Sequence, residues 1–306
     1  MALADEPVVV PDNGQSSGIE TRNDPIRVGR AAIIDGKLES RNDHISIDDD
    51  AVIRGPIENR NGTIRVGDRV RVSGSIQSRN GAISLGSGVV ADDISNRNGA
   101  IRVGRNSQVG DIDNRNGSIV LGEQSTAERL TSRNGGVSVG SGSVIKGVET
   151  RNGAVGIAAQ ARVNGPVETR NGQIKITDAS VSQGVITRNG RVQLESVLVT
   201  GDVQSRNGKI EIDGASRIDG DVLIDLSDLQ ISGWSFGTQA ELEIVIGGDT
   251  EVMGSVVLRL PKEDRSHHTG RVQIGQGVSV SGEVVVTTGV ITDLQGQIDG
   301  GLVIEE

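Results

Sequence analysis

Cysteine and tyrosine are absent from this 306-residue chain, and its aromatic side chains amount to one Trp (Trp234) and one Phe (Phe236). Lack of cysteine excludes disulfides, thiolate metal sites and thiol nucleophiles, and is compatible with any redox compartment. Lack of aromatics leaves only an aliphatic core. Positive charge is in deficit, with a formal net charge of -10, which argues against a general nucleic-acid binder because such binding is driven by counterion release on a basic surface. A local basic stripe remains open. No run reaches the roughly 18 apolar residues of a transmembrane helix. The start, Met1-Ala2-Leu3-Ala4-Asp5-Glu6-Pro7, reads as the remnant of a signal-peptide cleavage site. It points to a periplasmic, cell-surface or secreted protein, with a cytoplasmic start as the alternative.

Against these absences stands a repeat. Arg-Asn recurs as Arg22-Asn23, Arg41-Asn42, Arg60-Asn61, Arg79-Asn80, Arg97-Asn98, Arg115-Asn116, Arg133-Asn134, Arg151-Asn152, Arg170-Asn171, Arg188-Asn189 and Arg206-Asn207, always 18 or 19 residues apart. Asp24 and Asp43 follow the first two pairs, and Gly follows the other nine. Aliphatic residues stand three before each Arg and four and six after it, as in Ile57, Ile64 and Val66 around Arg60. Period-2 alternation with β-branched residues inward is the pattern of short strands, and Gly-rich steps between them are corners.

The expected fold is therefore all-β: a single-chain parallel β-solenoid, three-sided, with 18–19 residues per coil. Turns this small bury their inner face only by stacking on neighbours at about 4.8 Å, so eleven marked coils give a rod of roughly 50 Å. Asn-Gly is expected to supply the positive φ of a tight corner. Alternation places the Thr, Ser or Asn before each Arg inward together with the marker Asn, where both form polar ladders with their own copies. Residues 1–18 read as an N-terminal segment or cap, 19–217 as the regular solenoid, and 218–306 as degenerate coils with a cap. Excursions at about 226–242, holding Trp234 and Phe236, and about 260–271 interrupt this last region.

The Gly-punctuated beats Ile218-Asp-Gly220-Asp-Val, Val280-Ser-Gly282-Glu-Val and Ile298-Asp-Gly300-Gly-Leu resemble the bactofilin type of polymer-forming β-solenoid. The run Val167 to Ile176 is similar to bacterial putative-adhesin β-solenoid domains. Both resemblances imply a scaffolding or surface role and carry over no functional residues.

The outward Arg file is the strongest candidate site, since guanidinium groups in line are suited to bidentate contacts with a polyanion. Acids two residues earlier in six coils (Glu20, Glu39, Glu58, Asp113, Glu149, Glu168) favour a structural reading, in which the two files pair across rungs. The less compensated Arg79, Arg97, Arg133, Arg188 and Arg206 are where an anion would bind, and Arg27, Arg65, Arg102 and Lys175 add basic groups beyond the corner. His267-His268 reads as a solvated loop, and Asp48-Asp49-Asp50 lacks the calcium β-roll pattern. Ice binding does not suit an Arg face. Apolar intervals of 7 and 2 exclude hexapeptide acyltransferases, and no acid, base, metal or cofactor constellation marks an enzyme. The expectation is a bacterial, non-catalytic, extracytoplasmic scaffold that self-associates as an end-to-end rod or homo-oligomer; the alternative is an adhesin recognising an anionic polysaccharide or lipopolysaccharide, a cell-envelope polymer.

Overall fold

A computed structural model describes residues 6–227, 240–261 and 268–306. Every regular element among them is a β-strand, and no helix is present to cross a membrane. The chain divides into two compact units, Met1–Thr150 and Arg151–Glu306. Each winds as a parallel β-solenoid, and the described residues make fifteen turns, eight and then seven.

In the first unit a turn carries three short strands, such as Ile64–Val66, Arg71–Val72 and Ile76–Ser78. The second and third run together as one strand in Ile33–Ser40, Thr126–Ser132 and Val144–Thr150. Pairing is in register, Ile45 on Ile64 and Ile64 on Ile83, so like stacks on like. Ile26, Ile45, Ile64, Ile83, Ile101 and Ile119 are each 0% exposed, and burial of each such side chain stabilises by about 2 kcal/mol.

The corner after the Arg file differs from expectation in two ways. Its Asn is exposed, not inward, and its Gly does not serve to reach the left-handed region. Gly81 is required by close approach: a Cβ there would overlap the Gly62 carbonyl oxygen one turn back, and the same holds for Gly117 over Gly99 and Gly135 over Gly117. The exposed Asn residues do form the anticipated ladder as far as Asn189, Nδ2 donating to the Oδ1 one turn earlier, as in Asn61 to Asn42 (2.8 Å), Asn80 to Asn61 (2.7 Å) and Asn189 to Asn171 (2.7 Å).

The residue before each Arg does point inward, but it bonds to the corner and not to its own copies. Asn59 Nδ2 donates to the Asp43 carbonyl (2.7 Å) while its Oδ1 accepts from the Gly62 N–H (2.8 Å). Asn114 likewise donates to the Gly99 carbonyl at 2.8 Å. These side chains satisfy corner backbone groups that the stacked strands leave unpaired.

Left-handed backbone appears instead at the second corner, at Asp50 (φ 63°), Arg69 (φ 57°), Asn106 (φ 56°) and Gln124 (φ 54°). A non-Gly residue there costs about 1–2 kcal/mol. The strain is offset by bonds between turns: Arg69 N–H donates to the Ser87 carbonyl (2.8 Å), and Asp68 Oδ1 accepts from Ser87 N–H (2.8 Å). Beneath this corner Ser107, Ser125 and Ser143 form a buried file, with Ser107 N–H donating to Ser125 Oγ at 3.1 Å and Ser125 N–H to Ser143 Oγ at 3.2 Å.

The second unit repeats this plan through Lys209–Asp213 and continues beyond the marker. Val222, Val256, Val284 and Leu302 pair successively in the third strand position. Arg217 pairs with Glu251, 34 residues on, whereas Ser279 pairs with Gln297 at the ordinary interval. Extra chain leaves between the third strand and the next first strand, the place the Arg-Asn-Gly corner occupies elsewhere. The excursions are shorter than the sequence suggested, because Ala240–Ile246 and His268–Ile274 are strands; alternation puts Leu242 and Ile244 at 0% exposure. Trp234, Phe236 and His267 lie outside the described residues.

Two glycine substitutions separate the packing role from composition. Gly135→Ala is expected to lower the unfolding free energy by about 2–3 kcal/mol, as overpacking does, whereas Gly156→Ala, with nothing within 4 Å of the added Cβ, stays within about 0.5 kcal/mol of the parent. Denaturant unfolding of the two variants measures the difference.

Candidate functional site

All eleven marker arginines are exposed, held outward because the preceding Ser, Thr or Asn is turned in to serve the corner. None makes an ion pair within 4.0 Å among the described residues. This differs from the pairing expected with the acidic file. Glu39 and Glu58 are taken instead by Lys37, whose Nζ lies 2.7 and 2.8 Å from them, and their hydrogen bonds raise its pKa well above the usual lysine range. A solvated Arg–carboxylate pair gains only about 0–1 kcal/mol, too little to fix two long side chains.

In the first unit, five of these arginines (Arg41, Arg60, Arg79, Arg97, Arg115) line a groove of about 710 Å³ running over five successive turns. Its other wall is the neighbouring file, Glu39, Glu58, Gln77, Ser95 and Asp113. Gln77 and Ser95 leave the third and fourth of these five turns without a carboxylate, beside Arg79 and Arg97. Of the arginines singled out by sequence, Arg79 and Arg97 thus line the groove, at its third and fourth turns. Arg133 belongs to the same file but lies outside the groove lining, and Arg188 and Arg206 belong to the second unit.

A second basic file lies beyond the Asn corner, where Arg27, Arg65 and Arg102 alternate by register with Ser46 and Ser84. These arginines also are exposed and make no ion pair among the described residues. From Asn61 to Asn98 the corner therefore carries neutral amides between the marker arginines and this second file, which ends in Val120 and Ser138.

What sequence reasoning missed is where the negative charge goes. Asp12 and Asp49 accept from the backbone N–H groups of Arg30 and Asp68, both at 2.9 Å, and Asp93 and Asp111 serve Asp111 and Arg129 at 2.9 and 3.0 Å. Acids are thus concentrated at the second and third corners as backbone acceptors. The Asp48-Asp49-Asp50 run is part of this: the Asp68 N–H and then Arg30 hold Asp49 below the usual carboxylate pKa, and Arg69 does so for Asp50. Among the described residues no group of three or more His, Asp or Glu is placed to hold a metal ion, and His268 opens a strand.

In the second unit the file of Arg151, Arg170, Arg188 and Arg206 gives way to a closed ion cluster. Arg259 donates from Nε and Nη2 to Glu305 (2.7 and 2.8 Å) and from Nη1 to Asp225 (3.1 Å). No family model, curated protein or solved structure matches this chain.

Asp225 gives the cluster a pH signature. Burial works to raise its pKa, but hydrogen bonds from Ser227 and Arg259 outweigh it and the net shift is downward. A depressed folded pKa contributes stability above the unfolded value of about 3.9, lost as pH falls through the folded one. Thermal melts of the protein between about pH 5 and pH 2 are expected to show this loss, and Arg259→Met to reduce it.

Proposed function

We propose that this chain is a non-catalytic structural β-solenoid that holds a file of unpaired arginines against a linear polyanion, such as an anionic polysaccharide of a bacterial cell envelope. One observation carries the reading: the marker arginines are exposed, repeat once per turn, and have no carboxylate partner among the described residues. Had the two files paired, the arginines would have been accounted for by folding alone. Left unpaired, they form an array that a flexible polymer with many charges can engage at several turns simultaneously, each contact contributing little and the sum being large.

The rest of the turn supports a scaffold that keeps this array in line. Stacked strands, the Asn ladder and the Asp acceptors at the other corners fix one turn on the next, so a polymer meets side chains already in register. The resemblance to polymer-forming and adhesin-type bacterial solenoids is in keeping with a location outside the cytoplasm.

Retention on a sulfated-polysaccharide resin at low salt tests the proposal. The parent protein is expected to bind and to elute as salt is raised. Replacing Arg41, Arg60, Arg79, Arg97 and Arg115 with Gln is expected to abolish retention, and Arg79→Gln with Arg97→Gln and Arg133→Gln to weaken it. Arg54→Gln, at a residue paired with Asp35 at 2.6 Å, is expected to elute with the parent. Unchanged elution of the five-site variant overturns the reading. A sedimentation coefficient that rises with concentration in all variants would favour end-to-end assembly as the main role instead.

A further inference from the structure

Nine of the eleven marker pairs are Asn-Gly, the dipeptide most prone to lose its side-chain amide, because an unhindered Gly nitrogen can attack the preceding Asn Cγ. In eight of these pairs the amide is tied into the ladder. In the first unit Asn61, Asn80, Asn98, Asn116 and Asn134 each donate from Nδ2 to the Asn one turn earlier at 2.7–2.8 Å. In the second, Asn189 donates to Asn171 and Asn171 to Asn152, at 2.7 and 2.8 Å. Swinging an amide toward its own backbone breaks at least one of these bonds. Several Gly N–H groups are engaged too, those of Gly62, Gly117 and Gly135 by Asn59, Asn114 and Ser132.

Asn207 stands apart. Its backbone pairs with Asn189, and it is exposed, but its side chain makes no hydrogen bond among the described residues. The Gly208 N–H likewise has no acceptor among the described residues. In the following turn the third strand, Val222–Asp225, is followed not by another Asn-Gly but by Leu226, which is buried, so the ladder has no further rung to offer.

We infer that Asn207-Gly208 is a built-in deamidation site and that the Asn ladder protects the other eight Asn-Gly pairs. The Gly208 nitrogen, after losing its proton to water, forms a bond to Asn207 Cγ, and the side-chain nitrogen leaves as ammonia. Water then opens the resulting five-membered imide to aspartate or isoaspartate. Either product places a carboxylate next to Arg206, at the end of the second unit's Arg file, and isoaspartate also adds a methylene to the backbone. The inference stands on ladder geometry and is independent of whether the Arg file binds a polyanion.

Peptide mapping by mass spectrometry of the intact protein, aged in mildly alkaline buffer under native conditions, tests it. Conversion at Asn207 is expected to be about tenfold faster than at the other Asn-Gly pairs, the factor that about 1.4 kcal/mol of lost hydrogen bonding gives. In denaturant all nine pairs are expected to react at similar rates. Asn171→Ser removes the acceptor of the Asn189 amide and is expected to bring Asn189-Gly190 up to the rate of Asn207. A native rate at Asn207 no higher than at the other pairs overturns the inference, and so does an Asn189 rate unmoved by Asn171→Ser.

Discussion

A turn of this fold must stand on a near copy of itself at strand spacing, about 4.8 Å. The constraint governs every position, because a side chain is accommodated only if it can lie beside its own kind. Isoleucine on isoleucine meets it through packing. Asparagine meets it because an amide is donor and acceptor together, so a file of amides closes on itself, as from Asn134 at 2.8 Å back through Asn116. Glycine meets it wherever the carbonyl of the turn below leaves no room for a Cβ, as at Gly81 and Gly135. Aspartate, which repels its copies, is used where a backbone N–H of the next turn awaits it.

The same constraint explains where the repeat can be broken. At the third corner the acceptor file continues through the enlarged turns: Asp202 accepts from Asp221 N–H (2.9 Å), Asp221 from Ser255 N–H (2.8 Å) and Ser255 from Glu283 N–H (3.2 Å). At the first corner the Asn ladder stops, and there the chain departs and returns. An insertion needs only the loss of the self-complementary file at one corner, since the other two keep the turns in register.

Much of this was legible in the sequence and some was not, for definite reasons. The inward files of Ile and Val were readable because alternation along a strand depends only on neighbours, and the strand at Ala240–Ile246 could have been read from Glu241-Leu-Glu-Ile-Val-Ile in the same way. The direction of Asn23 and its copies was misread by carrying strand alternation past Thr21 into a corner, where the chain bends and the alternation lapses. Glycine was assigned to a positive φ because that is its commonest reason, whereas here the reason lies 18 or 19 residues away in the turn below. The role of Asp68 or Asp93 could not be read at all, since it depends on which backbone group of another turn comes within reach.

The marker arginine file does not meet the constraint by itself. Two unit charges at strand spacing repel by about 1 kcal/mol even in bulk water, and salt moderates this over about 8 Å without removing it. Sequence gave it an internal remedy in the acids at Glu39 and Glu58, but Lys37 holds those carboxylates, and Gln77 and Ser95 supply none. The corner amides up to Asn189, the buried serines and the capping aspartates, by contrast, find partners in neighbouring turns. The marker file thus carries, once per turn, a charge that no described carboxylate pairs, and the polyanion proposed above, laid along successive turns, is the kind of partner that would balance it.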